Sequence, residues 1–147
     1  MVQVFSIETI FIIHLMASLF MTGLCWFVQI VHYPLFRQIE LDKFPAYEKK
    51  NFVTGFVTIP VMVIELGSAL YLLYHNPESL YFLNVCLLGI IGLSTVIFQV
   101  PIHLKLSQKA TAPLIDKLIR TNWIRTISWT IRMGILAILL SQSLVFS

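Results

Sequence analysis

The chain is 147 residues long, 58% of them hydrophobic and 12% charged, with a mean hydropathy of +0.86 and a formal net charge of +3. A soluble domain of this size is nearer half apolar and a quarter charged, so the composition argues against a water-soluble globule and for a bilayer as solvent. The basic excess lies beside connecting segments, which excludes nucleic acid as the partner it serves and leaves anionic membrane lipids.

The first apolar run covers about residues 7–33 and is interrupted only by His14, Gln29 and His32. It lacks the basic start and small-residue cleavage site of a signal peptide and is therefore read as a retained span, ended by Pro34. A polar connection follows over 35–50, with Pro45 suited to the first turn of a helix. The second span covers about 51–74, carries Glu65 as its only charge, and is expected to kink at Pro60. Residues 75–79 form a short turn without Lys or Arg, and the third span, about 80–106, holds Pro101 near its end. In 107–120 the apolar Leu114, Ile115, Leu118 and Ile119 oppose Lys109, Asp116, Lys117 and Arg120, which predicts a short amphipathic helix lying on the membrane surface. The fourth span covers about 121–146. Cys25 and Cys86 fall at different depths, so no disulfide is expected between them. The fold class is all-α: a four-helix transmembrane bundle with a surface helix between spans three and four, making one integral membrane domain.

Charge sets the orientation. Arg37, Lys43, Lys49, Lys50, Lys105, Lys109, Lys117 and Arg120 lie in or beside the two long connections, and the other side has none. The positive-inside rule then makes both connections cytoplasmic and both termini external.

Each span also carries one stripe of polar or small residues at helical spacing: His14, Ser18, Thr22, Cys25, Gln29 and His32 on the first; Asn51, Gly55, Thr58, Met62, Glu65 and Ala69 on the second; Gly92, Thr95, Gln99 and His103 on the third; Asn122, Arg125, Trp129 and Arg132 on the fourth. These stripes should face one another. At about 1.5 Å rise per residue, Gln29, His32, Gln99, His103, Asn122, Trp123 and Arg125 share one level near the cytoplasmic face and are expected to line one cavity. Glu65 and Arg132 lie deeper at a common level and are expected to pair, with His14 as a third member, because a lone charge in a membrane costs about 2.5–3.5 kcal/mol or more.

The chemistry this suggests is a membrane enzyme with a hydrophobic small-molecule substrate. His32 or His103 would act as general base, Arg125 and Asn122 would hold an oxyanion, and Gln29, Gln99, Trp123 and Trp129 would contact substrate. Glu65, Arg132 and His14 would shape the pocket floor. The plainer alternative for Gln29, Gln99, Ser18 and Thr22 is hydrogen bonding between helices, and for Arg120 and Lys105 an anchor in the headgroups.

The segments Trp26–Phe36, Gln99-Val100-Pro101-Ile102-His103 and Arg120–Thr126 resemble an uncharacterised group of small bacterial four-span proteins, and more distantly the anthrone oxygenase-like membrane family. In that family a polar-Pro motif ends the third span and an Asn/His-x-Val/Ile-Arg-Thr motif opens the fourth, matched here by Pro101, Asn122, Arg125 and Thr126. The resemblance implies four helices in a bacterial inner membrane and oxidation of a polycyclic aromatic, an activity attached to a minority of members. It does not extend to Gln29, His32, Glu65 or His103.

Other function classes stay open. His32 and His103 at one depth could ligate a haem or a metal, although no third protein ligand lies near them and the sequence names no cofactor. A transporter or assembly subunit, working as a homo-oligomer, is the remaining class.

Overall fold

The computed structural model describes residues 6–145, and among these every regular element is helical. Four helical stretches are long and apolar enough to cross a membrane: Ile7–Gln38, Phe44–His75, Ser79–Leu106 and Ala112–Ser143. The last residue of the expected fourth span, Phe146, lies outside the described residues. The long helices run up and down in a square, each packing on its neighbours in sequence, with the fourth closing on the first.

Local chemistry explains where they start. Ser6 caps the first helix by accepting from the Thr9 amide at 3.2 Å. Pro45 and Pro113 stand in the first turn of their helices, where a missing N–H costs nothing.

Pro34 does not end its helix as expected: the first helix continues past it to a closing 3-10 turn at Phe36–Gln38, while Pro101 stands, as expected, near the end of a third helix that runs to Leu106. Each proline follows a π-helical turn, Val28–His32 or Thr95–Gln99. A proline has no N–H for the carbonyl four residues back. The residue before it bonds five residues back instead, Tyr33 to Val28 and Val100 to Thr95. One extra residue is thereby accommodated in each turn, and the helix goes on.

The connections also differ. Ala112–Val145 is one continuous 34-residue helix, so the segment expected as a separate surface helix forms the first turns of the fourth long helix. Its apolar face is used internally: Ile115 and Leu118 pack with Tyr33, Phe36, Phe44, Ile102 and Leu106. The 35–50 connection likewise folds back, as the helix Phe44–Asn51 places Phe44 and Glu48, one turn apart, inside the protein. This cluster stoppers the basic end of the bundle. A second cluster built on Leu72, Ile135 and Leu136 fills the opposite end, and Met21, Cys25, Ile91 and Trp129 pack between them.

Candidate functional site

Two polar systems occupy the interior, one closed and one open. The closed one is centred on Glu65 and Arg132, both 0% exposed and joined by a 2.7 Å ion pair. Ser18 donates to Glu65 at 2.7 Å, and the Trp129 indole N–H donates to both carboxylate oxygens at 3.2 and 3.3 Å. Arg132 Nε donates to Asn84 Oδ1 at 3.0 Å. Asn84 Nδ2 donates to His14 Nε2, also at 3.0 Å, which leaves His14 Nδ1–H to donate to Ser68 at 2.8 Å. Ser68 in turn donates a hydrogen bond to the Ile64 carbonyl at 2.6 Å. Every charge here has its partners, as burial demands.

Glu65, Arg132, His14 and Trp129 were expected to meet substrate. They do not line the cavity described below; they form a satisfied core behind its wall. Asn84, at the first turns of the third helix, completes this core and was missed. Its stripe mates Leu88 and Ile91 are apolar, so no polar periodicity marked it.

The open system lies at the basic end. A cavity of about 320 Å³ is bounded by all four long helices and by Phe44–Asn51. Its apolar wall includes Met21, Leu24, Val28, Ile59 and Met62, and its polar wall includes His32, Tyr33, Glu48, Gln99, His103 and Arg125. Of the seven residues expected there, His32, Gln99, His103, Asn122 and Arg125 line it. Gln29 stands one layer behind: its Oε1 accepts from Asn122 Nδ2 at 3.0 Å and its Nε2 donates to the Ile119 carbonyl at 3.2 Å, so it positions Asn122. Trp123 is not a lining residue. It is 40% exposed and stacks edge-on against Trp26 on the outer surface, ring centres 5.7 Å apart, because its place on the fourth helix turns it away from the interior.

Glu48 and Tyr33, neither among the seven residues expected there, also belong to the polar wall. Glu48, 1% exposed, accepts from His103 Nδ1 at 2.6 Å, and Tyr33, 5% exposed, meets His103 Nε2 at 2.9 Å. Since an ionised carboxylate only accepts, Nδ1 carries the proton and Nε2 accepts from the phenol. The result is a Tyr33–His103–Glu48 relay reaching across three helical segments. Glu48 was legible in principle: Phe44, Glu48 and Asn51 share a helix face. Tyr33 was not, because only the π turn rotates it inward.

His32 Nε2 lies 3.1 Å from Asn51 Oδ1. Asn51 presents its Nδ2 to Glu48 at 3.5 Å, so His32 is the donor and its Nδ1 keeps a lone pair. His103, by contrast, has both nitrogens engaged. The two histidines therefore do not form a matched ligand pair for a haem or metal without breaking the relay, and no group of three or more His, Cys, Asp or Glu arranged to hold a metal occurs among the described residues.

Arg125 faces this relay as a cation with no carboxylate in salt-bridge range among the described residues. One terminal nitrogen donates to Asn122 Oδ1 at 3.3 Å, Nε is buried without a partner, and the guanidinium lies over the Trp129 ring at 5.3 Å. Trp129 thus touches both systems, its N–H on Glu65 and its face under Arg125. Gln99 Nε2 donates to Thr121, whose own hydroxyl is committed to the Lys117 carbonyl at 2.9 Å, so Gln99 Oε1 is left as a buried acceptor without a partner.

No family model, curated protein or solved structure matches the chain.

Proposed function

We propose that this is a multi-pass protein of a bacterial inner membrane, with both termini outside and the basic end of the bundle on the cytoplasmic side, and that it is an acid–base enzyme. Its substrate is a hydrophobic molecule with an ionisable or enolisable oxygen. The observation that carries this reading is the Arg125 guanidinium, with no carboxylate in salt-bridge range among the described residues, set in the same cavity of about 320 Å³ as the Tyr33–His103–Glu48 relay. A merely structural bundle gains nothing from an unpaired cation in an apolar cavity, as the fully paired Arg132 on the same helix illustrates.

The division of labour follows from chemistry. His103, oriented by Glu48, takes the Tyr33 proton as Tyr33 takes one from the substrate; His32 Nδ1 offers a second basic site on the same wall. The negative charge left on the substrate oxygen falls to Arg125, with Asn122 held by Gln29 beside it, and Gln99 Oε1 can accept from a substrate O–H. The oxidase activity implied by the resemblance fits as a sequel, for a substrate whose anion reacts with oxygen unaided.

The test uses anthrone, an enolisable polycyclic ketone, with purified protein in detergent while proton release and oxygen uptake are recorded. The Tyr33→Phe and Arg125→Gln variants should lose at least tenfold in rate, and the exposed Arg120→Ala should keep the parental rate. Equal rates in all four proteins would remove the site, and no rate above the detergent blank would remove this class of ketone.

A further inference from the structure

We propose that the cavity is loaded sideways, through the gap between the start of Thr54–His75 and the Thr95–Leu106 stretch, and that it takes a monoanionic amphiphile whose charged head meets Arg125 while its apolar body lies in the gap. This deepens the acid–base reading and rests on it only for the identity of the site.

The ends of the bundle are shut. At the basic end Phe36, Phe44, Leu106 and Leu118 are all 0% exposed and packed on one another. Above the cavity Met21, Ile91 and Trp129, at 1%, 0% and 0% exposure, close the way to the other end. The side is a different matter. Thr54–His75 packs along the first helix and, in its later turns, along Ser79–Ser94, but makes no comparable contact with the third helix from Thr95 onward. Yet Thr54, Gly55 and Thr58 on one bank and Thr95 and Val100 on the other all border the cavity. The helix break at Phe52–Val53 and the proline at position 60 frame this stretch of the second helix. Outside the gap the surface is apolar: Phe56 is 81% exposed, Val96 68% and Ile97 57%. An opening rimmed this way meets acyl chains, so what passes through it is a membrane-dissolved molecule.

Charge selects the head. Within the cavity the Glu48 carboxylate is held by a hydrogen bond from the neutral His103, and Arg125, outside salt-bridge range of it, is the cation that faces the remaining space. One guanidinium matches one negative charge. A dianionic phosphate would bring a second charge into an apolar space that already holds the Glu48 carboxylate, which disfavours it. At about 30 Å³ per water-sized group, the cavity takes a head and a short apolar body, and a longer chain must extend through the gap into lipid.

The experiment reads Trp129, which becomes the only tryptophan once the two outer ones are replaced in a Trp26→Phe/Trp123→Phe protein. In detergent this protein is titrated with 9,10-dibromostearate, its neutral methyl ester, and a dibrominated alkyl phosphate. Saturable quenching by the acid at least tenfold tighter than by the ester or the phosphate is expected. Arg125→Gln should abolish the preference for the acid and Arg125→Lys should keep it. Thr58→Phe and Val100→Phe narrow the gap from opposite banks, and either one, if it elutes as the parent does, should weaken the acid at least tenfold. Quenching that is unsaturable, or equal for acid and ester, overturns the proposal, as does parental affinity in both gap variants. Turnover separates the two readings: parental turnover by Tyr33→Phe would remove the relay while leaving the sideways site intact, and the exposed Arg120→Ala should bind the acid as the parent does.

Discussion

Arg125 and Arg132 sit two turns apart on one face of the last helix, and their surroundings treat them oppositely. Arg132 donates to Glu65, Asn84, Ser18 and His14 in a volume with no exposure. Arg125 donates to Asn122, lies over a tryptophan face, and faces the cavity it shares with Tyr33. Removing either charge should therefore have opposite consequences. Arg132→Met strands the Glu65 carboxylate and should cost about 3–5 kcal/mol, whereas the Glu65→Leu/Arg132→Met double variant should recover a large part of that loss. Thermal unfolding in detergent reads both, and additive losses would show that the pair is not coupled. Arg125→Gln removes a cation with no carboxylate partner among the described residues, so its melting temperature should stay at or above the parental value while ligand binding falls. Glu48→Leu should resemble the Arg132 case in one respect only: it frees His103 Nδ1 and abolishes the relay, and Glu48→Gln should restore the fold without restoring the rate.

At the scale of the helix, the paired π turns decide which side chains reach the cavity. Each turn sits at the same distance before its proline, and each ends on a cavity residue, His32 or Gln99. An inserted residue advances the following side chains by about 100° relative to an unbroken α-helix. Tyr33 and His103 owe their meeting to that advance in both helices. Pro101→Ala restores the missing N–H and lets Thr95–Gln99 relax to α geometry, turning His103 away from Tyr33. The expected outcome is unchanged helix content by circular dichroism with at least tenfold lower activity. Retained activity would mean that the packing of Phe44–Asn51 against the third helix, rather than the proline, holds the turn open.

For the molecule as a whole, the proposed orientation places the stoppered basic end in the cytoplasm. Reporter fusions test it directly: alkaline phosphatase at the C-terminus should be active, and the same reporter inserted after Gln108, between the third and fourth long helices, should be inactive. The reverse pattern would invert the site relative to the membrane. The stopper predicts more. Phe44 packs against Phe36 with ring centres 5.2 Å apart and is fully buried, so Phe44→Ala should cost about 3–5 kcal/mol as a large-to-small core change. It should also admit water-soluble quenchers to Trp129 from the basic end, where the parent excludes them.

The amino-acid sequence by itself determined the number of long helices, their apolar character, the side on which the basic residues gather, and the company kept by Glu65 and Arg132. These follow from hydropathy and a 3.6-residue period, and both properties survive any detail of packing. It also brought His32, Gln99, His103, Asn122 and Arg125 to one level, because depth along a helix depends only on residue count. What it could not decide was azimuth and what the connections do. Trp123 shares the level of the site but points outward, one position off the Asn122, Arg125, Trp129 and Arg132 stripe of an unbroken α-helix, whereas Tyr33 points inward because the π turn before it resets the phase of the first helix. Glu48 belongs to a segment that reads as a polar link until Phe44 finds its apolar partners, and the face carrying Ile115 and Leu118 reads as a surface helix until the same cluster claims it. Only tertiary structure could separate a closed ion-pair core from an open cationic cavity, since whether an arginine is paired depends on acceptors contributed by other helices.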